Sequence, residues 1–170
     1  MEHVPVLIVG GGPVGLATAL ELARHGVRAL LVERHDSTTR HPKTRNLNTR
    51  TMEIVHGWGP TVYDEIVGVN LPPGWTEQIV YTRTLAGEEL GRMPTAGFAG
   101  PGPDVSREVP VLSSQDVFEP ILRRAAERTG LAELRFGHEA GGIERGMLPG
   151  DDRAVVSITE RATGRSYRVE

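Results

Sequence analysis

The sequence predicts an α/β fold in which a parallel β-sheet is followed along the chain by an antiparallel β-meander. Two short apolar runs rich in β-branched residues, 4–9 and 27–32, are typical of strands buried on both faces. Between them, apolar residues recur at helical spacing from Leu16 to Ala23. After residue 131, several short segments are separated by turn residues. Strand, helix and strand in succession form a βαβ unit, so the first two strands should be parallel.

Glycines and charged residues bound the elements of this first unit. The first strand ends on Gly10, and the helix opens near Pro13. His25 and Gly26 are typical of a helix end, where a basic residue in the last turn is followed by glycine. The second strand ends at Glu33.

The middle of the chain is less regular. Residues 34–50 are polar and strongly basic, with cations at Arg34, Arg40, Lys43, Arg45 and Arg50. The remaining elements predicted here are short helices at 52–56 and 61–67, strands at 75–84 and 87–93, and a loop rich in glycine and proline at 94–110.

A longer helix opens the last third of the chain. Ser113 and Ser114 can cap a helix that runs to Thr129, with Gly130 past its end. Pro120 cannot donate a helix hydrogen bond, so the regular helix is expected to start late or to kink there. The strands that follow are predicted at 131–136, 138–144, 154–159 and 166–169.

Composition excludes several classes of protein. The 170 residues, 38% of them hydrophobic, suit one ordinary domain or a fragment of a larger one. With 19 Lys+Arg against 22 Asp+Glu, the net charge of −3 gives no electrostatic reason to expect a nucleic-acid binder. The absence of cysteine excludes a disulfide framework and a thiol nucleophile. No apolar run reaches the ~20 residues of a membrane-spanning helix, and no basic region precedes the first one, so we expect a cytoplasmic protein.

The most informative motif is Gly10-x-Gly12-x-x-Gly15, which lies between a predicted buried strand and a helix. Gly10 permits a tight turn, Gly12 lets the backbone approach a pyrophosphate, and Gly15 lets helix and strand pack closely. The phosphates would meet the unpaired N–H groups at the positive end of the helix. The motif therefore predicts a dinucleotide site, and the alternative is a glycine-rich turn that binds no ligand.

Glu33 ends the second strand eighteen residues after Gly15. A carboxylate at this point can accept hydrogen bonds from both ribose hydroxyls of an adenosine, and it repels a 2′-phosphate. The site is therefore expected to prefer FAD or NAD over NADP. The alternative is a solvated carboxylate at a strand end.

Other polar residues give weaker signals. The basic segment 34–50 is either a solvated surface or a loop that supplies cations to a cofactor, and its spacing does not decide between them. The histidines form no constellation with metal-ligand spacing, so no metal site is predicted. Ser113 and Ser114 lie in no Gly-x-Ser-x-Gly turn, and helix capping accounts for them better than a nucleophile does.

Three segments resemble the FAD-dependent aromatic hydroxylases related to para-hydroxybenzoate hydroxylase, with the phenol and aromatic-polyketide hydroxylases as the most similar branch. The segments are 6–16 (VLIVGGGPVGL) with Val32-Glu33-Arg34, then His41-Pro42-Lys43 with 47–54 (LNTRTMEI), and 112–122 (LSSQDVFEPIL). The first segment is shared by many FAD and NAD proteins, whereas the combination of the second and third is far more specific.

The resemblance implies a single-component flavin monooxygenase with FAD as cofactor and NAD(P)H as co-substrate. In such enzymes O₂ forms a flavin C4a-hydroperoxide, and its distal oxygen is transferred to a small aromatic substrate of the phenolic or polyketide type. Two alternatives remain: another FAD oxidoreductase, such as an epoxidase or an antibiotic-inactivating hydroxylase, and a nucleotide-binding module without catalysis. No catalytic residue is assigned, and a homodimer is left open.

The resemblance also assigns cofactor contacts to individual residues. Gly10, Gly12, Pro13 and Gly15 would hold the pyrophosphate, and Glu33 would hold the ribose. Arg34, next to Glu33, is also counted among the cofactor contacts. The other contacts would come from Lys43 and Arg45 over the phosphate or flavin side, Gln115 at the ribityl–pyrophosphate region, and Ala140 against the adenine.

By the same resemblance, the chain is a Rossmann-like FAD-binding domain interrupted by part of a substrate-domain β-sheet. Residues 1–70 and 113–170 would form the FAD-binding domain, and 71–112 would be the inserted segment. Members of the family are longer, and their Asp-Gly motif is expected just after Glu170. The 170 residues alone are therefore expected to be inactive.

Overall fold

The computed structural model describes residues 1–43, 46–72, 74–75, 77–95, 106–145, 150 and 153–170. The chain divides into two compact units, one formed by Met1–Arg40 with Glu119–Glu170 and the other by His41–Phe118. In chain order the elements are β1 (Leu7–Val9), α1 (Pro13–Arg24), β2 (Ala29–Glu33), β3 (Asn46–Leu47), α2 (Thr49–Gly57), α3 (Pro60–Val67), β4 (Gln78–Thr82), β5 (Glu89–Pro94), β6 (Val111–Leu112), α4 (Gln115–Arg128), β7 (Ala132–Phe136), β8 (His138–Arg145), β9 (Val155–Glu160) and β10 (Ser166–Val169).

A parallel sheet with the strand order β1-β2-β7 forms the centre of the first unit. The register pairs Ile8 with Leu31 and Leu31 with Leu134. Helix α1 packs against all three strands, which confirms the predicted βαβ unit. Because β2 has a strand on each side, its apolar residues 29–32 are almost fully buried, as expected for a central parallel strand.

The first strand is shorter and more exposed than predicted. Only residues 7–9 are in strand conformation, and Val9 is 63% exposed, so the expectation of a strand at 4–9 buried on both faces is wrong. One reason is that the start of the chain pairs elsewhere, since the N–H of Val4 donates to the carbonyl of Glu170. A second reason is that alternate residues face opposite sides of the sheet, so Ile8 is buried where Val9 is not.

The predicted antiparallel meander is confirmed as a second sheet with the order β10-β9-β8. Its apolar side chains pack on β2 in a core cluster formed by Leu30, Val32, Val156, Ile158 and Val169. Gly137, with a φ of 76°, makes the turn between β7 and β8. The side chains of β2 therefore contribute to a core shared by both sheets of this unit.

The second unit contains α2, α3 and two small antiparallel pairs, β3 with β6 and β4 with β5. The β4–β5 hairpin matches the strands predicted at 75–84 and 87–93. The β3–β6 pair was not predicted, because strands of two residues carry no alternation. Helix α2 begins three residues earlier than expected because the Asn48 side chain caps it, accepting a hydrogen bond of 2.9 Å from the N–H of Thr51. Most of the predicted loop at 94–110 lies outside the described residues.

Helix α4 runs from Gln115 to Arg128 with Pro120 inside it, so the expectation of a late start is wrong. Proline at this point removes one N–H, the donor to the carbonyl of Asp116. Asp116 lies in the first turn, and the loss of this one hydrogen bond does not prevent the helix from beginning at Gln115.

The described residues contain neither a membrane-spanning helix nor a cluster of metal-ligating side chains. No helix among them is long and apolar enough to cross a bilayer. Within the same residues, no group of three or more His, Asp or Glu side chains could hold a metal ion.

A partly buried ion pair joins the start of the chain to β7. The two carboxylate oxygens of Glu2 accept hydrogen bonds of 2.6 and 2.8 Å from the Arg135 guanidinium, which also donates to the hydroxyl of Tyr167. The hydrogen bonds from Arg135 lower the pKa of Glu2 below its ordinary value.

We predict that Glu2→Gln destabilises the protein at neutral pH but not in strong acid. A carboxyl group with a lowered folded-state pKa stabilises the fold above its unfolded pKa and loses this contribution as the pH falls through the folded value. Urea unfolding at pH 7 should show a loss of about 1 kcal/mol or less, because the pair is partly solvated. The difference should vanish well below pH ~4. Glu139→Gln, at a half-exposed carboxylate that lies 3.8 Å from Arg161, is the control for a more solvated pair. An equal loss for Glu2→Gln at both pH values would contradict the prediction.

Candidate cofactor-binding site

The turn between β1 and α1 has the geometry expected for its glycines. Gly10 has a φ of 110°, a conformation that residues with a Cβ rarely adopt, and its N–H donates to the carbonyl of Val32 at 2.8 Å. Gly12 is the N-cap of α1, and Pro13 is its first helical residue, where no N–H is needed. The first turn of α1 therefore opens directly after the carboxyl end of β1.

Gly15 brings the helix against the strand. A Cβ at this position would lie 1.9 Å from the carbonyl oxygen of Gly10 and 3.4 Å from Cγ2 of Ile8. No side chain fits there, because the obstacle is backbone that cannot move without opening the turn. The close packing predicted for Gly15 is thus present in the fold.

Glu33 is bonded to the glycine turn. Its Oε2 accepts the N–H of Gly11 at 2.7 Å, and its Oε1 accepts the N–H of His35 at 2.9 Å. The side chain is only 14% exposed, which does not fit the alternative of a solvated carboxylate. Each carboxylate oxygen has a second lone-pair direction, so both can still accept a hydroxyl of a ligand.

Gly11 and Phe136 also border the glycine turn, although no sequence motif predicted a role for either residue. A Cβ on Gly11 would lie 2.8 Å from Cβ of Glu33 and 3.2 Å from the Phe136 ring. Phe136 pairs with Glu33 across β7 and β2, and the guanidinium carbon of Arg123 lies 4.0 Å from its ring centroid. The position of Phe136 at the end of the third parallel strand was the one signal that could have identified it.

The buried carboxylate of Glu119, on α4, was also missed as a candidate site residue. Its Oε2 accepts the N–H of Thr39 at 2.8 Å, and its Oε1 lies 3.9 Å from the position of a Cβ on Gly12. In the sequence, Glu119 stands out only as part of the segment 112–122, because a contact with a residue 80 positions away leaves no local pattern.

The other predicted site residues are more scattered. Arg34 is exposed, and its Nε donates to the His35 ring at 3.3 Å. Ala140 lies on β8 and packs against the core cluster. Lys43, which is exposed, and Gln115, which is buried at the start of α4, belong to the second unit. Arg45 lies outside the described residues. For these residues, contact with a cofactor stays a prediction.

The first unit fits the adenosine diphosphate part of FAD. The glycine turn leaves space that a Cβ would occupy, and the first helical turn of α1 presents N–H groups without intrahelical partners. No acidic residue stands in that turn to oppose the phosphates. Glu33 provides acceptors at the end of β2, where a ribose would lie.

Comparison with known proteins agrees with this geometry. A family model described as an FAD binding domain matches residues 3–170. Aklavinone 12-hydroxylase DnrF of Streptomyces peucetius subsp. caesius is 37% identical over 98% of the chain. Phenol 2-monooxygenase of Pseudomonas sp. (strain EST1001) is 31% identical over 96%.

A solved structure gives the same picture for the fold. The flavin-dependent monooxygenase PieE, crystallised with FAD and substrate, superposes on 98% of this chain with a TM-score of 0.86 and 38% identity. The chain spans 33% of aklavinone 12-hydroxylase, 26% of phenol 2-monooxygenase and 28% of PieE, about a third of each or less. The cofactor of this domain is FAD, and the chain belongs to the FAD binding domain family.

Proposed function

We propose that this chain is the nucleotide-binding part of an FAD-dependent aromatic-ring monooxygenase. The enzyme would use NAD(P)H and O₂ to hydroxylate a phenolic or polyketide-type substrate. The observation that carries the proposal is the contact of Gly15 with Gly10, together with the bond from Gly11 to Glu33. The names of the similar hydroxylases and monooxygenases support the reaction class.

The glycine turn and Glu33 would bind different parts of the adenosine diphosphate. Gly12 and Pro13 place the pyrophosphate at the positive end of α1, where backbone N–H groups bind it. Glu33 accepts the ribose hydroxyls and would oppose a 2′-phosphate by charge repulsion. Its bond to Gly11 fixes the carboxylate before the cofactor arrives, so less side-chain entropy is lost on binding.

The remaining predicted contacts complete the proposal. Arg34, Lys43 and Arg45 supply positive charge to the phosphate or flavin side, Gln115 contacts the ribityl–pyrophosphate region, and the backbone around Ala140 lies against the adenine. The segment 71–112 would belong to the substrate-binding domain, with 1–70 and 113–170 in the FAD-binding domain. The cytoplasm is the proposed location.

When bound, FAD supplies the hydride acceptance and the oxygen chemistry. The residues described here hold the adenosine end of the cofactor and fix its direction from the edge of the sheet. Their contribution to turnover is therefore binding and orientation.

The test of the proposed function uses the flavoprotein that contains this chain. After purification with FAD, NADH and NADPH are each offered with phenols and with aromatic polyketides. We expect reduced-nicotinamide oxidation and O₂ uptake to be stimulated by an accepted aromatic, and one atom of ¹⁸O₂ to appear in the product. Reduction that yields only hydrogen peroxide with every aromatic, or a protein that takes up no FAD, would contradict the proposal.

Gly15→Ala should greatly weaken FAD binding, because the new Cβ cannot lie 1.9 Å from the carbonyl oxygen of Gly10. Displacement of the helix start from the phosphates should raise the Kd for FAD at least about tenfold, the loss of one or more charge-assisted hydrogen bonds. Flavin fluorescence titration gives the Kd, and circular dichroism checks the fold. Gly142→Ala on β8, where a Cβ has open space, is the matched control. Unchanged affinity in a folded Gly15→Ala variant would refute this role.

Glu33→Ala should cost about 1–3 kcal/mol of FAD binding through the lost hydrogen bonds to the ribose. Because the same substitution frees the N–H of Gly11, Glu33→Gln is measured beside it. Glutamine can still accept from Gly11, so we expect its loss to be smaller. Isothermal titration gives both values, and Glu88→Ala, at an exposed position in the second unit, serves as the control. If Glu33→Ala binds FAD as tightly as the unsubstituted chain, the ribose contact is wrongly assigned.

A further inference from the structure

Glu119 is the one buried ionisable side chain in the part of the chain that the structure describes, with 2% of its surface exposed. Burial of a carboxylate costs free energy unless hydrogen bonds replace its lost hydration. The adenosine contacts described above do not use this residue. Its position near the glycine turn therefore needs a separate explanation.

The carboxylate lies between two segments that border the glycine turn. Oε2 accepts the N–H of Thr39 at 2.8 Å, and Oε1 points to within 3.9 Å of where a Cβ on Gly12 would be. Gly12 is the N-cap of α1, where the helix dipole places partial positive charge. A negative side chain is stabilised at such a helix end.

The segment from Glu33 to Thr39 is held at both of its ends. At the near end, the N–H of Gly137 donates to the carbonyl of His35 at 2.8 Å, and Arg161 donates to the carbonyl of Arg34 at 3.3 Å. At the far end, Glu119 holds Thr39. Loss of the far bond would leave the segment that follows the ribose-binding Glu33 less ordered.

We propose that Glu119 is a positioning residue for FAD, one that fixes Thr39 beside the start of α1 and thereby keeps the phosphate approach in shape. The inference rests on the proposed function, since it takes FAD as the ligand of the glycine turn. The negative charge of Glu119 cannot itself attract a pyrophosphate. The hydrogen-bond acceptor, not the charge, is therefore the feature that matters.

Three substitutions in the full chain separate these features. Glu119→Gln keeps an acceptor and removes the charge, whereas Glu119→Met removes both and keeps much of the volume. Thr39→Pro removes the backbone N–H that donates to Glu119, and it leaves the side chains of α4 unchanged. Because residue 39 is only half-buried, this variant serves as the test if Glu119→Met does not fold. Glu127→Met, at a half-exposed glutamate of the same helix, is the matched control.

Fluorescence titration with FAD gives the Kd of each variant, and hydrogen exchange reports protection of the Thr39 amide without any ligand. We expect Glu119→Met and Thr39→Pro to raise the Kd for FAD about tenfold, the effect expected from the loss of one hydrogen bond to a charged group. Thr39 protection should be lost in Glu119→Met. Glu119→Gln and Glu127→Met should stay within about threefold of the unsubstituted Kd and keep the protection. A double variant that combines Glu119→Met with Thr39→Pro should bind FAD little more weakly than either single variant, because both substitutions remove the same bond.

Equal weakening by Glu119→Gln and Glu119→Met would overturn the inference, since charge would then be the active feature. Unchanged FAD affinity in folded Glu119→Met, or in Thr39→Pro, would overturn it as well. FAD titration of the unsubstituted chain distinguishes failure of this inference from failure of the proposed function. If it binds FAD and the variants bind equally, only the positioning role is wrong, whereas no binding by the unsubstituted chain contradicts the proposed function.

Discussion

The contact between the first turn of α1 and the carboxyl end of β1 is the constraint on which the nucleotide site depends. The hydrogen atom of Gly15 faces the carbonyl oxygen of Gly10, where even a methyl group would overlap backbone. This contact brings the helix dipole and the unpaired N–H groups to the edge of the sheet, where a pyrophosphate can reach them. A helix displaced by a side chain would lose that alignment.

The central strand connects this site to the rest of its unit. β2 is buried between β1 and β7, and its residues Leu30 and Val32 also belong to the core shared with the meander. At its end, Glu33 bonds to the N–H of Gly11. Glu33, the proposed ribose acceptor, thus stands at the end of a buried strand, and packing of the meander against β2 helps to fix its position.

Both carboxylates near the glycine turn accept backbone N–H groups. Glu33 accepts from Gly11 and His35, and Glu119 accepts from Thr39. These fixed backbone donors help to hold both negative side chains in place. The structure therefore accommodates two negative side chains beside the glycine turn through main-chain hydrogen bonds.

The sequence by itself determined the βαβ unit, the glycine turn and the carboxylate that ends β2, because these features depend on neighbours within about 30 residues and on strong local signals. The burial of residues 29–32 and the helix start at Pro13 are examples, since the local sequence predicts both. Only the tertiary structure decided the exposure of Val9, the pairing of β3 with β6, and the bond from Glu119 to Thr39. Each of these depends on residues far apart in the chain, and the local spacing of apolar residues cannot predict such contacts.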